Sequence, residues 1–225
     1  MPYRITGLFA RGYYWLTERL YNELAWAYDP VSWLVSLGQW DSWRKFALDY
    51  LVGTSILEIG FGTGELLVEM RRRKLEVIGL DPSAAMQRQA TKKLRQAGIR
   101  LPLVGGAAQH MPFPDRTFDT IISTFPAGYI FDPATWREVA RLLHTPAITT
   151  QAGGGRFIVV GICSRDTNRL VASPIQILFG QPGEEFLERF HSLAQSAGLH
   201  FQVITRRQGS LETPILIAER REQND

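Results

Sequence analysis

The sequence predicts an α/β fold: a doubly wound, mostly parallel seven-stranded sheet with an antiparallel last strand, plus an N-terminal aromatic-rich helical cap. Three observations predict it. From about residue 53, short β-rich runs alternate with segments of helical periodicity, the order in which strands and crossover helices build a parallel sheet. The first of those runs, Ser55-Ile-Leu-Glu-Ile59, is largely apolar instead of alternating, which suits burial on both faces. Before residue 53 the composition changes, with five of the six tryptophans (Trp15, Trp26, Trp33, Trp40, Trp43) in the first 43 residues beside Tyr3, Phe9, Tyr13, Tyr14, Tyr21 and Tyr28.

After the first strand, a helix is expected from about Gly64 to Arg73, with Leu66, Leu67 and Met70 on one face. Glu76 to Asp81 is the second strand. Ser83 reads as the N-cap of a helix to Gln96, closed by Gly98 in the C-terminal glycine position. Residues 101–105 make a short third strand and Phe118 to Ser123 the fourth. Asp132-Pro133 opens a helix to about His144, a cap followed by proline at the first turn. Arg156 to Gly161 is strand five, and Glu184 to Ala197 is a helix stopped by Gly198. Phe201 to Thr205 and Thr213 to Ala218, parted by Gln-Gly-Ser, close the sheet as an antiparallel pair. Residues 1–52 are expected to form the cap and 53–225 the main domain, with insertions near 145–155 and 164–183.

Composition narrows the class. A chain of 225 residues with 45% hydrophobic and 21% charged residues can bury a full core and is not a disordered polymer. No apolar run approaches the ~18 residues of a membrane span. Arg4 and Arg11 interrupt the N-terminal apolar stretches, so a signal peptide is not expected and a cytoplasmic location is. The single cysteine, Cys163, excludes an internal disulfide framework and a cysteine-rich metal site; no metal is expected. Net charge is +3, and the basic clusters Arg71-Arg72-Arg73-Lys74, Lys92-Lys93 and Arg206-Arg207 read as helix-end and surface residues before they read as a nucleic-acid patch.

The most specific local feature is Glu58-Ile-Gly60-Phe61-Gly62-Thr-Gly64, between the first strand and a helix. Glycines there allow unusual backbone angles and close approach of a ligand to the main chain. Seventeen residues beyond Gly64, Asp81 ends the second strand, where a carboxylate can accept hydrogen bonds from both hydroxyls of a ribose. Together they read as a site for a nucleoside-containing ligand. Dinucleotide sites space their glycines G-x-G-x-x-G to seat a pyrophosphate, whereas here the spacing is G-x-G-x-G behind an acidic residue.

That pattern resembles the class I, Rossmann-like S-adenosylmethionine-dependent methyltransferases. The resemblance covers about residues 53–163. Gly106-Ala-Ala-Gln-His-Met-Pro-Phe-Pro-Asp-Arg-Thr-Phe-Asp119 is similar to the family's segment leading into strand four, and Arg137-Glu-Val-Ala-Arg-Leu-Leu143 with Gly154-Gly-Arg-Phe157 to its lead into strand five. Tyr28-Asp-Pro-Val-Ser-Trp33 is similar to the entry of ubiquinone/menaquinone-biosynthesis and phospholipid methyltransferases. The resemblance implies S-adenosylmethionine as cofactor. It implies that Glu58, Gly60, Phe61, Gly62 and Gly64 hold the methionine end and Asp81 the ribose. Pro82 and Met86 would flank the adenine, Ala108 and Gln109 would lie along its edge, and Ser123 and Thr124 near the transferred methyl. Tyr28 and Tyr129 are the substrate-side candidates. The sequence departs from the family at Ala107, where an aspartate usually contacts the adenine amine; alanine cannot accept a hydrogen bond, so either Gln109 or a backbone carbonyl takes over or cofactor affinity is reduced.

Methyl transfer from a sulfonium is an in-line displacement that needs mainly proximity, orientation and exclusion of water. A dedicated base is needed only where the acceptor must lose a proton. The four histidines, His110, His144, His191 and His200, read as structural, as do Asp115 and Asp119. Ser123-Thr-Phe-Pro126 lacks the motif that base-methylating enzymes carry after strand four, so DNA is not an expected partner and RNA is disfavoured. The aromatic cap fits a lid over the pocket and a lipophilic small molecule or lipid head group as acceptor, and it is compatible with shallow membrane contact. Leu170 to Phe179 is a candidate second wall. The rival functions are a nucleoside-binding module on the same fold without turnover and, behind it, an RNA methyltransferase resting on the basic clusters.

Overall fold

The computed structural model describes residues 40–145, 154–161, 165–166, 184–208 and 211–220. Tyr28, most of the aromatic cap, Cys163 and Leu170 to Phe179 lie outside the described residues. The described elements begin with α1 (Trp40–Lys45) and a 3-10 turn (Phe46–Tyr50), followed by β1 (Ser55–Ile59), α2 (Glu65–Arg72), β2 (Glu76–Leu80), α3 (Ala84–Gln96) and β3 (Leu103–Val104). Then come β4 (Thr120–Thr124), a 3-10 turn (Gly128–Phe131), α4 (Pro133–Leu142), β5 (Arg156–Val160), β6 (Arg165–Asp166), α5 (Glu184–Ser196), β7 (His200–Gln208) and β8 (Leu211–Glu219).

The strands form one sheet in the order 3-2-1-4-5-8, with β7 on the far edge of β8. β1 pairs in parallel with β2 and β4, and β4 with β5. β8 runs antiparallel to both β5 and β7, with Phe157 opposite Ala218 and Phe201 opposite Ala218 from the other side. The seven expected strands are therefore present with the last antiparallel, and the two-residue β6 adds to them by pairing Arg165 with Glu212. That strand lies within the stretch expected to be an insertion. The closing hairpin is longer than expected because its pairing continues outward through Arg207–Glu212 and Gln208–Leu211.

Period-two alternation splits the sheet's side chains between two apolar layers. Leu57, Ile59, Ile121, Phe157, Val159 and Leu216 face α4 and α5, where Trp136, Val139, Phe190 and Leu193 complete one core. Ile56, Ile122, Ile158, Val160, Ile215 and Ile217 face α2, α3 and the first 3-10 turn, meeting Leu66, Leu67, Met70, Ala90, Leu94 and Ala47. Both faces are covered, which explains why the central strands place apolar residues on both of them. Trp136 anchors the first core, edge-on to Phe157 at 5.3 Å and to Phe190 at 5.9 Å.

The helix boundaries follow local chemistry. The Ser83 hydroxyl accepts from Met86 N at 3.3 Å, and the Asp132 carboxylate from Ala134 N at 2.9 Å, so both expected caps satisfy amides that the first helical turn leaves unpaired. Gly98 and Gly198 adopt φ of 69° and 73° after α3 and α5. Asp119 holds backbone, as expected: one carboxylate oxygen accepts from Thr54 N (2.9 Å) and Ser55 N (3.0 Å), tying the start of β1 to the start of β4. No helix among the described residues is long and apolar enough to cross a membrane.

Candidate active site

The strand order reverses at β1, which has β2 on one side and β4 on the other, and open α/β sheets admit ligands at the carboxyl ends of the strands at such a point. The glycine loop lies there. Gly60 N donates to Leu80 O at 2.7 Å, joining the ends of β1 and β2. A Cβ on Gly60 would stand 2.6 Å from the Tyr129 hydroxyl, so glycine is required by close approach. Gly62 has φ of 54°, and a Cβ on it would meet nothing within 4 Å. Main chain there borders open space.

Asp81 organises this loop. Its Oδ2 accepts from Gly62 N at 3.0 Å and its Oδ1 from Ser83 N at 2.8 Å, so one carboxylate joins the glycine loop to the start of α3. The residue is only 3% exposed. Burial holds its carboxyl above the ordinary aspartate range despite the two backbone hydrogen bonds.

Glu58, one residue before the end of β1, is 2% exposed. Burial pushes its carboxyl up to about 8; the charge of Arg44 works against that shift and the charge of Asp81 adds to it. Among the described residues nothing donates a hydrogen bond to Glu58 Oε2. A buried acceptor left open beside a second buried carboxylate suits a cationic or N–H-bearing ligand.

Across the crevice three oxygens converge. Ser123 Oγ and the Tyr129 hydroxyl lie 2.7 Å apart, and both reach Ile59 O, at 3.3 and 3.2 Å. Ser123 is fully buried and Thr124 half-buried beside it.

The loop after β3 forms a further side. Ala107 is exposed and Ala108 buried, while Gln109 donates through Nε2 to Asp132 Oδ2 at 3.2 Å. Asp132 is held below the usual carboxylate range, chiefly by the amide of Ala134 and then by Gln109. With its amide nitrogen committed to Asp132, Gln109 retains its carbonyl oxygen as an acceptor. Arg141 braces the loop from α4, donating to Met111 O (3.0 Å), Phe113 O (2.8 Å) and Asp115 (2.7 Å). Glu138 accepts from Met111 N at 2.8 Å and pairs with Arg141, which lowers the Glu138 carboxyl. Arg141→Ala is expected to cost about 2–3 kcal/mol by freeing two carbonyls and the Glu138 charge together. Thermal unfolding with and without added ligand measures it; an unchanged melting temperature would remove the bracing role.

Several expected site residues are placed otherwise than the sequence suggested. The Phe61 ring is buried against Gly79, where a Cβ would lie 2.7 Å from it, so Phe61 offers the loop only its main chain. A Cβ on Gly64 would lie 2.9 Å from Ala90 Cβ: that glycine lets α2 approach α3. Met86 is 0% exposed, because the first turn of α3 directs it inward, and it presents no surface to a ligand; Pro82 is exposed at the rim. Arg44 went unforeseen, since nothing in sequence spacing places residue 44 beside residue 58, and Trp43 was expected only as one ring of the aromatic cap. Phe125, with φ of 49°, was equally illegible. Among the described residues no three His, Cys, Asp or Glu side chains are grouped to hold a metal.

Comparison with known proteins agrees with this geometry. Residues 56–145 match the family model described as a methyltransferase domain. The chain is 27% identical over 198 residues to the ubiquinone/menaquinone biosynthesis C-methyltransferase of Hahella chejuensis, covering 81% of this chain and 76% of that one. It is 31% identical over 157 residues to the demethylmenaquinone methyltransferase of Thermotoga maritima, covering 67% of this chain and 63% of the relative, so the match spans less than two thirds of that protein. Among solved structures, a protein of Methanococcus maripaludis described as an S-adenosylmethionine-dependent methyltransferase superposes with a TM-score of 0.65 at 18% identity, over 91% of this chain and 95% of that one. The geranyl diphosphate C-methyltransferase of Streptomyces coelicolor A3(2), solved with S-adenosyl-L-homocysteine, superposes with a TM-score of 0.56 at 15% identity, over 79% and 78%. The sheet order, the glycine loop pinned by an acidic strand end and the matched model together identify residues 56–145 as a methyltransferase domain on the class I, Rossmann-like S-adenosylmethionine-dependent fold.

Proposed function

We propose that the protein methylates a lipophilic small molecule of the quinol or phenol type, using the pocket at the carboxyl ends of β1, β2 and β4. The observation that carries the proposal is the open, buried Glu58 Oε2 beside Asp81 and the unobstructed main chain at Gly62. These residues fit S-adenosylmethionine, whose amino group needs an acceptor, whose ribose needs a carboxylate and which has no phosphate to seat. When bound, S-adenosylmethionine supplies a methyl group already activated on a sulfonium.

On this reading Glu58 holds the amino end and Asp81 the ribose, with Gly60 and Gly62 supplying main-chain contacts. Pro82, Ala107, Ala108 and Gln109 border the base, and the Gln109 carbonyl replaces the acceptor that Ala107 lacks. Ser123, Thr124 and Tyr129 face the reacting end. Their hydroxyls and the Ile59 carbonyl provide oxygens there, and the nearby aromatic rings exclude water, which is most of what an already activated methyl group requires. Residues 1–52, Tyr28 among them, would cover the mouth. The quinol class is supported by the names of the relatives in Hahella and Thermotoga and by the aromatic side chains at the strand ends.

Calorimetry with S-adenosylmethionine and its demethylated product tests the cofactor site, and transfer of radiolabelled methyl to a prenylated 1,4-naphthoquinol, a phenol and a lipid tests the acceptor. Micromolar cofactor binding with label in the quinol is the expected result. Binding without transfer to any of the three acceptors would favour a module without turnover, and absence of cofactor binding would remove the function altogether.

A further inference from the structure

Two tryptophans in the described residues are almost equally buried but differ in one respect. Trp136, 1% exposed, donates its indole N–H to Ile130 O at 2.8 Å. Trp43, 2% exposed, donates its indole N–H to nothing among the described residues. Buried tryptophan N–H groups usually find an acceptor, because leaving one unpaired carries the full cost of its desolvation.

The fold places Trp43 at the functional end of the sheet. The 3-10 turn after α1 is anchored at the opposite end, where Tyr50 O accepts from Arg156 Nη1 at 2.7 Å at the start of β5. Asp49 nearby pairs with Arg206 at 2.8 Å. Going backward along the chain, Leu48 and Ala47 cover the core, and the Trp43 ring then lies 6.4 Å from that of Phe125. Phe125 directly follows β4 and donates its N–H to Val160 O at 2.8 Å. Its ring stands where a Cβ on Gly161 would be 2.3 Å away. With φ of 49°, this bulky residue occupies a left-handed backbone region that is strained for its side chain and found preferentially at functional sites. Trp43 and Phe125 therefore flank the ends of β4 and β5. Asp81 ends β2, two strands away from β4, or roughly 10 Å at the usual strand spacing.

We propose that the Trp43 indole N–H is the hydrogen-bond donor that holds an oxygen of the methyl acceptor, with the Phe125 ring packed beside it. The assignment rests on the lipophilic acceptor proposed above. It gives the site two buried atoms of opposite character, each awaiting a partner: Glu58 Oε2 on β1 for the cofactor's cationic end, and Trp43 Nε1 beside β4 and β5 for an acceptor oxygen. A quinol or phenol oxygen beside a flat ring matches the second position in both polarity and shape.

The experiment uses the full chain with indole ¹⁵N labels, its cofactor site filled with S-adenosylhomocysteine, and two probes: a prenylated 1,4-naphthoquinol and the matching prenylnaphthalene without oxygens. The Trp43 indole resonance, identified by its loss in Trp43→Phe, should move when the quinol is added and should not move with S-adenosylhomocysteine alone. Trp43→Phe should weaken quinol binding about three- to tenfold, the worth of one hydrogen bond. It should leave prenylnaphthalene binding unchanged, and any fall in melting temperature from the lost ring volume should be the same with and without the quinol's oxygens, because the donor it removes is unpaired in the free protein. Quinol binding in Trp43→Phe equal to that of the parent protein would overturn the assignment, as would a resonance that moves fully with S-adenosylhomocysteine alone. Failure of the parent protein to bind the quinol would overturn the acceptor class, and this assignment with it.

Discussion

Asp81→Ala is expected to weaken S-adenosylmethionine binding at least tenfold, or about 1.4 kcal/mol. The side chain does two things at once. It is the proposed acceptor for the ribose hydroxyls, and it receives the amides of Gly62 and Ser83. Removing it leaves both N–H groups without that partner, and hydrogen bonds to a charged group are worth about 1.5–3 kcal/mol each. The loop then loses its tie to β2 before any ligand arrives. Asp81→Asn retains one carbonyl oxygen and should lose less, because one of the two amides can still be satisfied. Calorimetry on the three proteins separates these contributions. Equal affinity in the parent and Asp81→Ala would mean that the ribose is held elsewhere, and the assignment of this strand end would fall.

Glu58 should make cofactor binding release a proton. With its carboxyl pushed up to about 8, Glu58 is mostly protonated in the free protein at pH 7. An ammonium group brought to Oε2 favours the ionised form, so binding at pH 7 should expel about 0.9 proton. Affinity should rise as pH approaches 8 and level off above it. Calorimetry in buffers of different ionisation enthalpy measures the release, and Glu58→Gln should abolish it. The same group affects stability. Its folded value lies above the 4.5 of a free glutamate, so the folded state binds the extra proton between about 4.5 and 8. Stability from this source is full below the lower limit and is lost as pH rises through the upper. Glu58→Gln should therefore gain on the parent by ~3–5 kcal/mol between pH 4 and pH 9, followed by denaturant unfolding. A parallel pH dependence in both proteins would show that Glu58 is ionised throughout.

Much of this molecule was legible along the chain because the signals are local. Ser83 and Asp132 announce helix starts, since a side-chain oxygen two or three residues before an unpaired amide acts within one turn. Gly98 and Gly198 announce helix ends for an equally local reason. The largely apolar runs at Ser55–Ile59 and Arg156–Val160 announce strands covered on both faces. Gly60, Gly62 and Asp81 could be joined because a strand, a turn and a helix of ordinary length bring the two strand ends together. Side-chain direction was harder to read. Phe61 and Met86 lie in the segments the sequence singled out, but the first turn after each strand directs both side chains into the core, and sequence spacing does not show which members of a turn face inward.

By itself the sequence determined the order of strands and helices, both caps, the glycine loop and the carboxylate that ties it down, because each depends on neighbours within a few dozen residues. Only the tertiary structure decided that Arg44 brings its charge to Glu58, that Arg141 braces the loop after β3, and that the Trp43 indole N–H beside Phe125 has no acceptor among the described residues. Those relations join residues separated by 14 to 82 positions. They arise from the packing of whole elements on the sheet, where a buried charge or N–H is either completed or left open by side chains to which no local pattern in the chain connects it.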